Sequence, residues 1–112
     1  MTIDVEEREG VKILRLHGEL GVSEGTQLVE AAGEALVGRG ACAIVEMSDV
    51  SYLSSAGIGA LVRIVAQANT QEQRVVLASL TPFVADVFSA TRLDRFFEIH
   101  PGVDEAVRSI LG

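Results

Sequence analysis

Apolar and polar residues alternate at the start of the chain. Ile3 and Val5 have polar neighbours, and Glu9-Gly10 separates them from a second apolar run over residues 11–17. Period-two alternation predicts a strand, and a run that is partly apolar on both faces predicts a buried strand. The chain is therefore expected to open with a pair of strands, followed by a loop over residues 18–22.

The segment after this loop has apolar residues at helical spacing. Ser23 is a candidate N-cap for a helix ending at Gly38, since its hydroxyl can accept from free first-turn amides. The apolar residues of this helix recur at a 3.6-residue period, at Leu28, Ala31, Ala32, Ala35 and Leu36. A second amphipathic helix, running to Asn69, is predicted from the spacing of Ile58, Leu61, Val62, Val65 and Ala66.

Short continuous apolar runs over residues 42–47 and 75–78 predict buried strands, and residues 96–99 a last strand. Thr81-Pro82 is a strong helix start, for a short helix to Thr91, and residues 104–111 predict a final helix. The order ββαβαβαβα predicts an α/β fold, with a mixed sheet of about five strands and four helices packed against it. The length fits one domain, residues 1–112.

Composition narrows the class of protein. Apolar residues make up 48% and charged residues 22% of the chain, as in soluble globular proteins. A net charge of −7, with a single lysine, Lys12, argues against nucleic-acid binding. The apolar runs are too short to cross a bilayer, and no basic and apolar leader follows Met1. We therefore expect a cytoplasmic protein without membrane insertion.

Catalytic and metal-binding motifs are missing from the sequence. No phosphate-binding loop, nucleophile elbow, zinc-protease motif or Cys-x-x-Cys is present, and Cys42 has no second cysteine. His17 and His100 fall at predicted strand ends, and we interpret both as surface or edge residues. We expect no enzymatic activity, no cofactor and no metal.

The informative segment covers residues 47–61, a loop that joins a central strand to the second helix. Ser54 and Ser55 lie at the predicted helix start, where capping alone explains their hydroxyls. Gly57 and Gly59 disfavour a helix, so we interpret them as sites of close approach or as a smooth surface for another protein. From the residues alone, capping without regulation and a phosphorylation switch both stay open.

Three stretches resemble one family: residues 16–20, residues 52–59, and Leu80-Thr81-Pro82 with Val84, Val87 and Phe88 beyond it. Over nearly its whole length the chain resembles STAS domains and, within them, bacterial anti-sigma factor antagonists. The resemblance implies that the unphosphorylated protein binds an anti-sigma factor with serine kinase activity and frees a sigma factor. It also implies that phosphorylation ends the binding and that a phosphatase removes the phosphate again. A stress response is a typical setting.

The resemblance also implies which residues act. The family pattern is usually Asp-Ser-(Ser/Thr/Ala)-Gly, so alignment on Gly57 makes Ser55 the phosphorylated residue. Ser54 stands where the family usually has aspartate and is the alternative acceptor. Gly21 stands where many members have another aspartate. The implied partner-binding residues are Glu19, Gly21, Ser54, Ser55, Ala56, Gly57, Ile58 and Gly59. We predict that Gly57→Glu leaves the chain folded but unable to bind its partner.

Other roles fit the same resemblance. A STAS accessory subunit of a membrane lipid-transport ATPase would use the same helix as a structural clamp. A scaffold subunit of a stress-sensing complex is another alternative, although such subunits usually carry an additional N-terminal domain. A small-molecule-binding or enzymatic α/β domain is disfavoured by the missing motifs. The oligomeric state, monomer or weak dimer, stays open.

Overall fold

The computed structural model describes all 112 residues and has the predicted order of elements. The strands are β1 (Thr2–Arg8), β2 (Val11–Leu20), β3 (Cys42–Leu53), β4 (Arg74–Ala78) and β5 (Ile99–His100). The helices are α1 (Val22–Ala35), α2 (Ser55–Thr70), α3 (Pro82–Ala90) and α4 (Val103–Leu111), and a single 3-10 turn covers Leu93–Arg95. The predicted order ββαβαβαβα is confirmed.

The five strands form one mixed sheet in the order β1-β2-β3-β4-β5. β1 is antiparallel to β2, and the remaining neighbours are parallel. Because the crossovers follow β2, β3 and β4, the starts of α1, α2 and α3 all lie at the carboxyl edge of these strands. The mixed α/β sheet with four helices, predicted from the sequence, is confirmed.

The helices cover the two faces of the sheet unequally. On one face, α1, α2 and α3 pack over the larger core, which includes Leu14, Leu16, Leu28, Leu61 and Phe88. On the other face, α4 alone covers a smaller core of Val11, Ile13, Ile44, Val76, Ala78, Ala106 and Val107. The alternation along β2 sends neighbouring residues to opposite faces, as the pleat of a strand requires.

The central strands run further than expected. β2 continues to Leu20 and β3 to Leu53, so residues 48–53, which we expected to be a loop, are strand. The two strands stay in parallel register to their ends, with Glu19 beside Tyr52 and Leu20 beside Leu53, after two register shifts. Pairing with a distant neighbour therefore extends β3 beyond its apolar run.

The start of α1 also differs from the prediction. Gly21, and not Ser23, is the N-cap, and the helix ends at Ala35 and not at Gly38. The Glu24 carboxylate accepts a hydrogen bond of 3.0 Å from the Gly21 amide, as in a capping box. This bond moves the helix start two residues earlier than the hydroxyl of Ser23 indicated.

The last strand is displaced as well. Residues 96–99 were expected to form it, but β5 contains only Ile99–His100. The amides of Phe96 and Phe97 instead donate to the Leu93 carbonyl, at 2.9 and 3.1 Å. Phe97 is buried and stacks on Phe88 with ring centroids 5.2 Å apart. Burial of this ring therefore holds the segment in a turn.

Candidate functional site

The ends of β2 and β3 bring the predicted site residues to one edge of the sheet. β2 leads into α1 through Gly21, and β3 leads into α2 through Ser54. The Ser54 amide donates to the Leu20 carbonyl at 3.0 Å, which joins the two strand ends. Glu19, Gly21 and the segment from Ser54 to Gly59 therefore share one edge, although they lie in two separate parts of the sequence.

Ser54 is the N-cap of α2. Its Oγ accepts from the Gly57 amide at 3.1 Å and lies 3.3 Å from the Leu20 carbonyl, to which it donates. The side chain is half-buried. Its hydroxyl therefore already satisfies one of the free amides of the first helical turn.

Ser55 is the first residue of α2 and is exposed. The side-chain hydrogen bonds of this turn go to Ser54, and the Ser55 hydroxyl takes part in none. The amides of Ser55 and Ala56 precede the first helical bond, from the Ile58 amide to the Ser54 carbonyl at 2.9 Å. The hydroxyl therefore stands at an open, partly positive helix end.

The electrostatics of this helix start differ from those of two other helices. α1 has Glu24 in its first turn, and α4 has Asp104 and Glu105. The first turn of α2 contains no acidic residue. An anion here would meet a helix dipole that no carboxylate of the first turn compensates.

Gly57 is buried against β2. A β-carbon at this position would lie 2.9 Å from Leu20 Cγ and closer still to the Leu20 carbonyl oxygen. A side chain at this position has to displace the backbone of β2, which argues against the predicted phenotype of Gly57→Glu, a folded chain that cannot bind. Gly57 allows α2 to pack on the end of β2.

The remaining predicted residues present different surfaces. Ala56, Gly59 and Glu19 are exposed, and Ile58 is half-buried against the larger core. A β-carbon at Gly59 would meet nothing within 4 Å. Gly59 therefore borders open space between α1 and α2, a groove that no sequence pattern indicated. The different surroundings of the two glycines are visible only once the helices are packed.

A cluster of charged residues lies across β1, β2 and β3. His17 sits within β2 and not at its end, with Nδ1 2.9 Å from Asp49 Oδ2 and Nε2 3.0 Å from Asp4 Oδ2. The Asp49 hydrogen bond is the main cause of a raised pKa of His17, and Asp4 adds to it against some desolvation. Both ring nitrogens act as donors only in the imidazolium form. Both carboxylates therefore favour the charged form of His17, which links three strands.

Buried Glu46 lies beside this cluster. Burial acts to raise its pKa, but hydrogen bonds from Ser48 and from Arg15, 2.8 Å away, outweigh burial and lower the pKa. The carboxylate is therefore charged and paired, as buried charges usually are. No group of three or more His, Cys, Asp or Glu side chains is arranged to hold a metal ion. None of the helices is long and apolar enough to cross a bilayer.

Solved structures share this fold over almost the whole chain. An anti-sigma factor antagonist from Mycobacterium paratuberculosis matches with a TM-score of 0.84 and 23% identity, over 99% of this chain and 94% of that one. The phosphorylated Bacillus cell fate determinant SpoIIAA matches with a TM-score of 0.70 and 19% identity, over 97% and 99%. Part of the murine anion transporter Slc26a9 matches with a TM-score of 0.80 and 19% identity, over 95% of this chain and 18% of that one.

At these identities the matches establish a common fold. What each of these proteins does is said of that protein only. The family assignment comes from the sequence itself. The family model of the STAS domain matches residues 2–106, which is nearly the complete chain. The match includes the strand ends, the Ser54 cap and the start of α2 described above. The chain therefore belongs to the STAS domain family.

Proposed function

We propose that this protein is an anti-sigma factor antagonist that works by partner switching. Its unphosphorylated form binds an anti-sigma factor with serine kinase activity and so frees a sigma factor. Phosphorylation of Ser55 ends the binding, and a phosphatase restores it. The observation that carries the proposal is the exposed, unbonded hydroxyl of Ser55 at the open start of α2.

The choice of Ser55 over Ser54 follows from their hydrogen bonds. A kinase needs a hydroxyl that can reach the γ-phosphate, and Ser55 is exposed with no bond to break. Ser54 is half-buried and bonded to both Gly57 and Leu20. Phosphate on Ser54 would remove the cap and force the Leu20 carbonyl away.

A phosphate on Ser55 is compatible with the fold. It adds roughly −1.5 to −2 charges at pH 7, next to free amides and the positive end of the α2 dipole. The same charge in a close protein interface brings desolvation and repulsion of acidic partner groups. The switch would therefore act on the interface and leave the domain folded.

The relatives support this reading within the limits of their similarity. One similar structure is SpoIIAA in its phosphorylated form, which is a property of that protein. The similarity to part of Slc26a9 is a similarity of fold alone. A clamp role in a transporter would need no free hydroxyl at Ser55, so this feature favours the regulatory role.

The test uses the kinase-type anti-sigma factors encoded in the same genome, purified one at a time and supplied with ATP. Intact mass spectrometry is expected to show one added phosphate on the wild-type chain and on Ser54→Ala, and none on Ser55→Ala. Ser55→Asp is expected to lose binding to the same anti-sigma factor. Full phosphorylation of Ser55→Ala, or failure of every such kinase on the wild-type chain, would overturn the proposal.

A further inference from the structure

A groove runs between α1 and α2 from the start of both helices. The helices are in close contact at Gly25 and Ala60, where a β-carbon on Gly25 would lie 3.2 Å from Ala60 Cβ. Beside this contact a space of about 290 Å³ stays open. It begins at Ala56, directly after Ser55, and ends at Arg63. With a rise of ~1.5 Å per residue, Arg63 lies ~10 Å along α2 from Ala56.

Gly59 lies in the wall of this groove and has no role in packing the chain itself. Its missing side chain faces open space, whereas that of Gly57 faces Leu20. A glycine inside a helix costs ~1 kcal/mol relative to alanine. Packing within the chain therefore does not explain Gly59, and its missing side chain leaves the groove open.

The charge of the groove is opposite to that of the protein. Arg63 is the one charged residue among its lining residues, and no carboxylate lines it. Arg63 is exposed and forms no salt bridge. Five other cations are each paired with a carboxylate: Arg8, Lys12, Arg15, Arg39 and Arg74. Arg92, Arg95 and Arg108 are also unpaired, but they lie outside the groove. In a chain of net charge −7, this groove offers an unpaired cation.

The size and lining of the groove indicate its occupant. At about 290 Å³ it is no larger than the smallest of typical small-molecule sites, which span roughly 300–1,000 Å³. Val22, 75% exposed, and Val29 provide an apolar wall. An apolar side chain of a protein partner fits such a wall, and a carboxylate of that partner complements Arg63.

We propose that the groove between α1 and α2 determines which anti-sigma factor the protein recognises. One apolar side chain of the anti-sigma factor fills the space beside Gly59, and a carboxylate of the same protein pairs with Arg63. The inference rests on the proposed function, because the groove begins next to Ser55 and would be covered by the same partner. It adds a recognition element separate from the phosphorylated hydroxyl.

The experiment measures binding of the kinase-type anti-sigma factor that phosphorylates the wild-type chain, by isothermal titration calorimetry. Gly59→Leu fills the groove and Arg63→Glu reverses its charge, and each is expected to raise Kd about tenfold or more. The controls are Ala90→Leu, at an exposed position on α3 away from the groove, and Arg108→Glu on α4 at the opposite face. Both controls are expected to change Kd less than about twofold.

The outcomes separate the groove from the switch. If the wild-type chain is phosphorylated on Ser55 while Gly59→Leu and Arg63→Glu bind like the wild type, the groove proposal is wrong and the switch stands. If a charge-reversed anti-sigma factor, with one interface carboxylate replaced by lysine, restores binding of Arg63→Glu, the pairing is established. If no kinase-type anti-sigma factor binds or phosphorylates the wild-type chain, both proposals fail. Circular dichroism confirms that each variant is folded.

Discussion

Gly57 packs directly on Leu20, so that a β-carbon at position 57 would lie 2.9 Å from Leu20 Cγ. Gly59, two residues further along α2, borders empty space. The contact with Leu20 sets how closely the start of α2 approaches the end of β2, and so it sets the position of Ser55. The two glycines therefore have opposite surroundings: Gly57 allows a close contact, and Gly59 borders open space.

Alanine substitutions are expected to separate these glycines. Gly57→Ala should lower the free energy of unfolding by ~1–3 kcal/mol, because the new methyl group overpacks against the Leu20 backbone. Gly59→Ala should raise it by up to ~1 kcal/mol, because alanine is the better helix former and has room. Urea denaturation of the two variants measures both values. Equal destabilisation by both substitutions would contradict the geometry.

Ser54→Ala is expected to remove the cap of α2. The loss of the hydrogen bond to the Gly57 amide should lower the free energy of unfolding by ~1 kcal/mol. Ser55→Ala should change it by less than ~0.5 kcal/mol, since the exposed Ser55 side chain makes no hydrogen bond. Thermal denaturation of both variants at one pH provides the comparison, and a larger effect of Ser55→Ala would reverse the assigned roles.

Ser55→Asp tests whether a negative charge at this helix start is tolerated by the fold. The carboxylate faces the positive end of α2, whose first turn has no acidic residue. The variant should therefore be as stable as the wild type or more stable by ~0.3–1 kcal/mol at low salt, and the gain should shrink as salt is added. A marked loss of stability would show that phosphorylation acts by unfolding the segment.

His17 is expected to titrate above its ordinary pKa of 6.5. Because the pKa is raised in the folded chain, the stabilisation by His17 is complete below pH 6.5 and is lost as pH rises through the folded-state value. Asp49→Asn should lower the pKa of His17 more than Asp4→Asn does, since the Asp49 hydrogen bond is the larger cause. NMR titration of the imidazole in the three proteins measures this order, and an unshifted pKa in the wild type would remove the cationic link.

Glu98 is expected to make the fold sensitive to acid. Hydrogen bonds from Arg74 and His100, against some desolvation, lower the pKa of Glu98 from 4.5 to about 2. A lowered pKa means that its stabilisation is present above pH 4.5 and is lost as pH falls towards 2. The wild type should therefore exceed Glu98→Gln in stability at pH 7, with a smaller difference at pH 3. Urea midpoints at both values measure this, and a constant difference would contradict it.

The local pattern of apolar and polar residues predicted most of the helices and strands. The 3.6-residue spacing of Leu61 and Val65 and the cap at Thr81-Pro82 depend on neighbours in sequence, and both predictions are confirmed. The segment containing Ser54 and Ser55 was predicted as a helix start, because hydroxyls satisfy free amides there. Short-range hydrogen bonding and periodic burial explain why these features are readable from the chain.

The elements that local pattern misplaced depend on partners far away in sequence. β3 extends to Leu53 because β2 pairs beside it, and the predicted strand at residues 96–99 becomes a turn because Phe97 stacks on Phe88. No local pattern contains those partners.

The sequence by itself determined the order of the elements, the family resemblance and the region of the site. Tertiary structure alone decided that Ser54 is bonded and Ser55 free, that Gly57 is packed and Gly59 open, and that His17 links Asp4 and Asp49. The physical reason is the range of the interactions. Helix caps and apolar periods act over a few residues, whereas the Leu20 carbonyl reaches Ser54 and Gly57 only after β2 and β3 have paired.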